Sequence, residues 1–380
     1  MQKSGINMER VKKENRSLIL KCINNNGAMS RKDIAAVTGL TPASVTQITT
    51  KLIDDDILVE LGSVHESTGT AGRKKVLLDI NESFCYICSV NIESNNTTLA
   101  VCDFKGQLKA LSRVDTDKSD YRKFFSLIAK ELKSLIDDLP EESQKKIKCV
   151  CVGIPGIIDK ERGVSVHAYG VWNEEIPVKE LLEASLNIPV IIENNVNAFG
   201  HAEILFGMGR SYDSLLIIKW GPGVGSTIVI DGQVYEGRHG KTAELGHFIA
   251  IKDGQKCNCG RKGCLETILS YDALNEIIQF LPEEFENAYM MADSGAKEKI
   301  DNAIDIFARS IVNTCTIIAP NRIILAGSLF GGEVIRDSLI VACEKYDKAY
   351  NSKRIYHTSL SQKESYIGPV AVYIHDFLNQ

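Results

Sequence analysis

The sequence predicts an α/β protein with an N-terminal winged helix-turn-helix followed by a larger, two-lobed part. Three observations favour this fold class. Short helical patterns with capping residues occupy most of the first 55 or so residues. From about residue 80 onward, short apolar runs alternate with helical stretches, and several of these runs end in glycine turns. The 380 residues are enough for two or three domains with separate cores.

Composition excludes several classes of protein. The chain is 44% hydrophobic and 24% charged, as is usual for a globular protein. No apolar run is long enough to span a membrane, and the N-terminus lacks the pattern of a signal peptide. We therefore predict a cytoplasmic protein with no membrane partner. In that compartment its 11 cysteines indicate buried thiols or a metal site, not a disulfide framework.

Charge is divided unevenly along the chain. Residues 1–80, here called the head, carry 12 Lys and Arg against 9 Asp and Glu. The remainder, here called the body, carries 32 against 40, so the head is at +3 and the body at −8. This mild asymmetry is relevant to nucleic-acid binding only if the head also has a suitable shape.

The head reads as three short helices. Apolar residues at helical spacing run from Met8 to Asn24, and the NNNG segment that starts at Asn24 ends the helix. Ser30 is suited to cap a second helix that stops at Gly39. Thr41 is suited to cap a third helix with Pro42 at its first position, and Val45, Ile48 and Leu52 are expected to point inward. A tight glycine turn between the second and third helices is typical of a helix-turn-helix.

The exposed face of the third helix and the segment after it suggest DNA binding. The strand-like runs ILVELGSV and KVLLDI flank HESTGTAGRK, which has the character of a wing whose tip enters a minor groove. The residues predicted to contact DNA are Thr41, Ser44, Gln47, Lys51, Arg73 and Lys74. The alternative is a small helical domain that mediates only protein contacts.

Glycine turns follow three apolar runs of the body: VGIPG at 152–156, WGPGVGS at 220–226 and LAGSLFGG at 325–332. Such turns let a backbone approach a ligand closely, at the strand ends where α/β proteins bind their ligands. Together they predict a cleft between two lobes.

A cysteine cluster predicts a metal site. Cys257, Cys259 and Cys264 lie close together, and His247 precedes them by ten residues. One imidazole and three thiolates complete a tetrahedral zinc shell, which leaves no position for a catalytic water. We therefore expect structural Zn²⁺ at these four residues. The alternative is three free cysteines in a surface loop.

The segments ELGH at 244–247 and CNCGRKGCLE at 257–266 resemble the signature of the ROK family of repressors, open reading frames and sugar kinases. The resemblance implies a two-lobed, actin-like and ribonuclease H-like sugar kinase fold, and the head makes the repressor branch the better match. The expected domains are 1–80 for the winged helix, 81–198 for the first lobe, completed by a C-terminal helix at 365–380, and 199–364 for the second lobe with a zinc loop at 247–264.

The same resemblance implies a sugar site. By position in the family motifs, Asn194, Glu244 and Glu266 contact sugar hydroxyls, and His247 contacts sugar with one ring nitrogen while the other binds zinc. Carboxylates and amides suit this task because each forms hydrogen bonds with neighbouring hydroxyls. An asparagine that the family often has before a tryptophan is absent from HAYGVWN, where Ala168 and Tyr169 stand instead.

Two catalytic features of the related kinases are missing. The END motif reads ENN, so Asn195 stands where the catalytic aspartate is expected, and an amide is not a general base. We interpret Asn195 as a further sugar contact, with Glu193 as the alternative base if chemistry persists. The phosphate loop DxGGT falls on residues 91–95, where Glu93 and Ser94 replace both glycines and would repel or crowd ATP phosphates.

These features predict a sugar-responsive transcriptional repressor without catalytic residues. A homodimer, or alternatively a tetramer, would bind two-fold related operator DNA, and a sugar or sugar phosphate would alter that binding. The first alternative is an ATP-dependent sugar kinase with an added DNA-binding head. The second is a scaffold protein whose zinc loop only makes contacts.

Overall fold

The computed structural model describes residues 8–64, 75–115, 117–237 and 242–380. Its helices within these ranges are α1 (Met8–Asn26), α2 (Arg31–Thr38), α3 (Pro42–Asp54), α4 (Tyr121–Asp137), α5 (Glu141–Gln144), α6 (Val178–Leu186), α7 (Asn195–Phe206), α8 (Glu266–Leu269), α9 (Tyr271–Asn275), α10 (Phe285–Met291), α11 (Ser294–Ile318), α12 (Glu333–Tyr346) and α13 (Ile367–Asn379). No helix of the described part is both long and apolar enough to cross a membrane.

The strands form three larger sheets and a separate hairpin. In chain order they are β1 (Met29–Ser30), β2 (Leu58–Val64), β3 (Lys75–Ile80), β4 (Tyr86–Ile92), β5 (Thr97–Asp103), β6 (Leu108–Val114), β7 (Ile147–Ile154), β8 (Ile157–Asp159), β9 (Val164–His167), β10 (Val190–Asn194), β11 (Leu215–Trp220), β12 (Val224–Ile230), β13 (Gln233–Val234), β14 (Arg322–Ala326) and β15 (Ile355–His357).

The head is a winged helix-turn-helix, as the sequence predicts. The hydroxyl of Ser30 accepts a hydrogen bond from an amide of α2, and Gly39 ends that helix in the left-handed region at φ 71°. A sheet in the order β1-β3-β2 completes the head. The sequence did not predict β1, which has only two residues and pairs with β3. Arg73 and Lys74, predicted to contact DNA, lie outside the described residues, between β2 and β3.

Each lobe of the body is built on a five-stranded sheet. The first has the order β10-β7-β4-β5-β6 and the second the order β13-β12-β11-β14-β15. In the first sheet, β7 runs parallel to β4 and β10, and in the second, β11 runs parallel to β14. The apolar runs predicted as strands form β4, β5, β7, β10, β11 and β14. Edge strand β6 was missed because LKALSRV is neither a continuous apolar run nor a strict alternation of polar and apolar residues.

Helices α7 and α13 lie between the two lobes. They pack against each other and contribute to one hydrophobic cluster that continues from the head through both sheets. In α13, Gly368 allows close approach: an added Cβ would lie 3.0 Å from the backbone nitrogen of Phe199 in α7. The parallel strands of both lobes end near this helix pair, so their carboxyl ends face a common cleft. The domain limits at residues 80, 198 and 364 stay predictions.

Candidate sugar cavity, zinc loop and DNA-binding head

A cavity of about 780 Å³ lies between the lobes at these strand ends. Its size is within the usual range of small-molecule sites. The wall contains every residue that the sequence analysis assigned to sugar binding, namely Asn194, Asn195, Glu244, His247 and Glu266. Residues from both lobes therefore meet here, although the first and last of the five are 72 positions apart in the chain.

Asn194 and Asn195 stand where β10 passes into α7. The side-chain amide of Asn194 caps α7: its oxygen Oδ1 accepts hydrogen bonds from the backbone amides of Val196 and Asn197, at 2.9 and 3.1 Å. Its amide nitrogen donates to the Gly156 carbonyl at 2.9 Å. One N–H of Asn194 remains for a ligand, so this residue has a structural role that the motif did not reveal.

Glu244 and His247 are positioned by a tight turn, the 3₁₀ helix Leu245–His247. Gly246 lies against β12 so closely that an added Cβ would come within 2.1 Å of the Val224 carbonyl oxygen. The glycine of ELGH is therefore required by packing. It holds the carboxylate on one side and the buried imidazole on the other in a defined orientation.

Glu266 enters the cavity at the first position of α8. Its carboxylate accepts a hydrogen bond from the Val224 amide at 3.2 Å. Burial raises the pKa of Glu266, and the amide hydrogen bond opposes this shift. An added Cβ at Gly223 would lie 2.7 Å from the carboxylate, so the glycine turn after β11 leaves room for Glu266.

Tyr169 contacts the same site from the first lobe. Its ring lies edge-on to the His247 ring, with the centroids 4.7 Å apart. Burial, followed by the negative charge of Glu244, raises the pKa of the Tyr169 phenol. The sequence marked this position only as a departure from the family, whereas the structure places the ring in the cavity wall.

The four predicted zinc ligands come together. One nitrogen or sulfur atom from each of His247, Cys257, Cys259 and Cys264 lies within 4.8 Å of the others. Cys257 Sγ is 3.5 Å from His247 Nδ1, and Cys259 Sγ is 3.6 Å from Cys264 Sγ. A tetrahedral zinc shell with ordinary bond lengths requires about 3.6 Å between nitrogen and sulfur and about 3.8 Å between sulfurs. The donors thus fit the ion in number, type and spacing.

The charge state of the imidazole also suits a metal. Burial, and then the positive charge of Arg261, lower the pKa of His247 to about 4. The ring is therefore neutral near pH 7, which is the form that binds a metal. Because Nδ1 faces the sulfur atoms, Nε2 is the nitrogen available to a ligand in the cavity.

Two glycines fold the loop that brings the cysteines together. Gly260 and Gly263 have φ values of 88° and 75°, which side chains rarely adopt. An added Cβ at Gly263 would also lie 1.9 Å from the Ile251 carbonyl oxygen. The GRKG segment thus reverses the chain between Cys259 and Cys264.

The first phosphate-loop region contains an ion-pair triad that the sequence did not predict. The ammonium of Lys219, in β11, is 2.5 Å from Glu93 Oε1 and 3.5 Å from Glu364 Oε1. The Gly327 amide donates to the other oxygen of Glu364 at 3.0 Å. Burial alone would lower the pKa of Lys219, but the two carboxylates more than offset this and raise it. A lysine inside the apolar run LLIIKW was the available signal.

Glu193, the alternative base, does not belong to the cavity wall as the structure describes it. Its buried carboxylate pairs instead with the ammonium of Lys160, which also pairs with Glu236 at 2.5 Å. Burial raises the pKa of Glu193 to about 6, against the opposing effect of Lys160. The Glu193 carboxylate is thus engaged in an ion pair with Lys160.

Helix α3 presents the predicted DNA-contacting face. The hydroxyl of Thr41 accepts a hydrogen bond from the Ser44 amide at 3.2 Å and caps the helix. Gln47 and Lys51 are exposed, and Ser44 is half-buried on the same side. Spacings of three and four residues place these three side chains on one helix face.

The head contacts the body at the far end of α7, in addition to the contacts that α1 makes with α13. The Asn24 amide nitrogen donates to the carbonyl of Leu205, near the end of α7, at 3.1 Å. The guanidinium of Arg210, just beyond α7, donates to the carbonyls of Asn24 and Asn25 at the end of α1. Helix α7 therefore connects Asn194 and Asn195 in the cavity wall with the first helix of the head.

Known proteins match both parts of the chain. The winged helix-turn-helix DNA-binding family matches residues 13–59, and the ROK family matches residues 87–375. The xylose repressor of Bacillus subtilis is 25% identical over 379 residues, which cover 97% of each chain. These matches account for the head and the body together.

Solved structures share the fold. A ROK family transcriptional regulator, described as a homologue of the Escherichia coli MLC protein, superposes with a TM-score of 0.78 at 23% identity and covers 97% of both chains. A ROK hexokinase from Thermus thermophilus superposes with a TM-score of 0.63 at 22% identity, covering 77% of this chain and 99% of the hexokinase. The body thus has the fold of the sugar kinases, and the chain belongs to the ROK family.

Proposed function

We propose that this protein is a sugar-responsive, DNA-binding transcriptional regulator that represses genes of carbohydrate metabolism. The observation that carries the proposal is the combination, in one chain, of a winged helix-turn-helix with a sugar-kinase fold that has an asparagine at the catalytic position. The xylose repressor relative matches over 97% of both chains, so the similarity extends to the head as well as the body.

The body acts as a sensor and not as a kinase in this proposal. The amide of Asn195 cannot accept the proton of a sugar hydroxyl. The absence of a general base lowers the rate of phosphoryl transfer by roughly 10²–10⁴-fold. Glu193 is engaged with Lys160, away from the cavity wall. Glu93, where a phosphate loop needs glycine, pairs with Lys219. Binding without turnover is what a sensor requires.

The sugar is held by Asn194, Asn195, Glu244, His247 and Glu266 in this proposal. Structural Zn²⁺, held by His247, Cys257, Cys259 and Cys264, keeps the loop rigid and fixes the imidazole. The fold of this loop directs the carboxylates of Glu244 and Glu266 and one ring nitrogen of His247 toward the same cavity. A rigid site of this kind discriminates between sugars because a missing hydroxyl leaves a polar group unpaired.

Coupling to DNA runs along α7. A ligand that shifts Asn194 or Asn195 also shifts the helix that they begin, and Leu205 and Arg210 at its other end contact the end of α1. The sugar needs a different affinity for the two arrangements of the head, and allosteric couplings are typically about 5- to 150-fold in affinity. In a homodimer, such a shift would change the spacing of two recognition helices relative to two half-sites.

The test is a DNA-binding titration with full-length protein. An operator is first recovered by selection from random duplexes, and its affinity is then measured by fluorescence anisotropy with D-xylose, D-glucose, N-acetyl-D-glucosamine and their phosphates. We expect at least one of them to change the Kd by about fivefold or more. If none does, or if no duplex is selected, the proposal is wrong.

A coupled assay of ATP turnover with the same sugars separates the regulator from the kinase. The expected result is no turnover above that of a protein-free control. Turnover that disappears in Asn195→Ala would instead make the chain a sugar kinase with an added head.

A further inference from the structure

Among the residues that the structure describes, the interior of the cavity contains one cation, and two carboxylates already neutralise it. Among the described wall residues, the ammonium groups are those of Lys219, Lys256 and Lys299. Lys256 and Lys299 are exposed at the rim, whereas the Lys219 side chain is only 11% exposed. Its ammonium lies between the carboxylates of Glu93 and Glu364, so the triad as a whole carries a net negative charge.

The remaining charges of the wall are also unfavourable for an anion. The described part of the wall has five carboxylates, those of Glu93, Glu244, Glu266, Asp272 and Glu276, and three ammonium groups, so its formal charge is −2. Asp272 and Glu276 are exposed at the rim and balance the two rim lysines there. The net negative charge is therefore in the interior, where solvent screens it least.

The triad is held in place from both lobes. Glu93 follows β4 of the first lobe, and its amide closes a turn by donating to the Asn96 carbonyl at 2.9 Å. Lys219 belongs to the second lobe, and Glu364 is anchored by the Gly327 amide. An anion that took Lys219 from Glu93 would break a buried ion pair and a contact between lobes, which is costly.

We infer that the ligand of this cavity is an uncharged sugar without a phosphate group, and that the Glu93–Lys219–Glu364 triad is the specificity determinant. The cavity volume of about 780 Å³ does not exclude a phosphate by size. Charge does, because the triad withholds the ammonium of Lys219, the one interior ammonium of the described wall, and adds a carboxylate beside it. The inference rests on the proposed function in so far as the cavity is taken to be the sugar site.

The experiment is calorimetric titration of full-length protein at fixed ionic strength. The probes are D-xylose, D-glucose, D-glucose 6-phosphate, N-acetyl-D-glucosamine, its 6-phosphate, and inorganic pyrophosphate as an anion without sugar. The wild type should bind at least one uncharged sugar, bind the 6-phosphate of any such sugar at least about tenfold more weakly, and bind pyrophosphate only weakly.

Two substitutions then change the charge beside Lys219 in steps. Glu93→Gln should raise the affinity for pyrophosphate and sugar phosphates by about tenfold, because a unit charge acts strongly over short distances in a partly buried site. Glu93→Gln combined with Glu364→Gln should raise it further. Glu276→Gln is the matched control: it removes a carboxylate from the exposed rim, and the affinities should stay within about twofold.

Two results would overturn the inference: wild-type protein that binds a sugar phosphate as tightly as the parent sugar, or pyrophosphate binding that Glu93→Gln leaves unchanged. If wild-type protein binds no sugar in any form, the proposed function fails for these sugars, and the pyrophosphate comparison still decides the role of the triad. A thermal unfolding transition shows whether each variant is folded. If the double variant does not fold, the comparison of Glu93→Gln with wild type still tests the inference.

Discussion

Two loops at the cleft differ in how many glycines they have: the loop at 91–95, which corresponds to the DxGGT phosphate loop of the related kinases, and the glycine turn at 221–225 after β11. The second loop, 221–225, keeps its glycines, whereas the first, 91–95, has Glu93 and Ser94 in the glycine positions. In the second loop, an added Cβ at Gly223 would lie 2.7 Å from the Glu266 carboxylate, and one at Gly225 would lie 2.6 Å from the Val196 side chain. Those two glycines are needed for packing against Glu266 and Val196, whether or not a nucleotide binds.

The first loop has side chains at the corresponding positions. Its glycines would serve the approach of phosphates, and without phosphates a side chain is tolerated there. Glu93 uses this freedom to reach Lys219 across the cleft. The comparison teaches that a glycine-rich loop is not by itself an indication of nucleotide binding, because packing can require the same residues.

The largest effect is expected from removing a predicted zinc ligand in the second lobe, which also contains the glycine turn at 221–225. Cys257→Ser should abolish stoichiometric zinc and lower sugar affinity by at least about 100-fold, because the loop that positions His247 and Glu266 depends on the metal for its fold. Elemental analysis and calorimetry measure the two quantities. Cys315→Ala, a buried cysteine of α11 outside the cluster, is the control, and zinc retained by Cys257→Ser would contradict the assignment.

The next largest effect concerns a sugar contact. Glu244→Gln keeps the size of the side chain but removes its charge, and a hydrogen bond to a charged group is worth about 1.5–3 kcal/mol, or about 10- to 150-fold in affinity. Calorimetry with a binding sugar measures this. Asp272→Asn, an exposed carboxylate at the rim of the same cavity, should leave affinity nearly unchanged. Equal responses of the two variants would favour a scaffold protein.

A smaller effect is expected where the body meets the head. Arg210→Gln should preserve the separate affinities for sugar and DNA but reduce the effect of sugar on DNA affinity by about fivefold, because the link between α7 and α1 is weakened. Anisotropy titrations with and without sugar measure the coupling. Arg113→Gln, on the exposed edge strand β6, is the control. Coupling that survives intact in Arg210→Gln would place the path elsewhere.

The smallest effects concern single DNA contacts on α3. Lys51→Ala should weaken binding to all sequences and reduce the slope of log affinity against log salt by about 1. Gln47→Ala should mainly relax sequence preference, because an amide reads base edges whereas a lysine binds phosphates. Titrations over a salt series with selected and scrambled duplexes distinguish the two. If neither variant differs from wild type, α3 is not the recognition helix.

Much of this site could be predicted because its signals are local. Ser30 and Thr41 cap helices within three residues of themselves, and the Cys257, Cys259 and Cys264 spacing with two glycines describes one folded loop. The capping of α7 by Asn194 is local in the same way, because it spans only two and three residues, so the sequence carries a signal for it that the family motif alone does not indicate. The hydrogen bond from Asn194 to the Gly156 carbonyl spans 38 positions and depends on the surrounding fold.

The sequence by itself determined the winged head, the two-lobed α/β body, the cysteine cluster and the absence of an aspartate at position 195. Only the tertiary structure decided the partners of Glu93, Tyr169 and Arg210. Glu93 meets Lys219 across 126 positions, and Arg210 meets Asn24 across 186. Pairs this far apart leave no periodic or spacing pattern, because their contact results from how whole elements pack together.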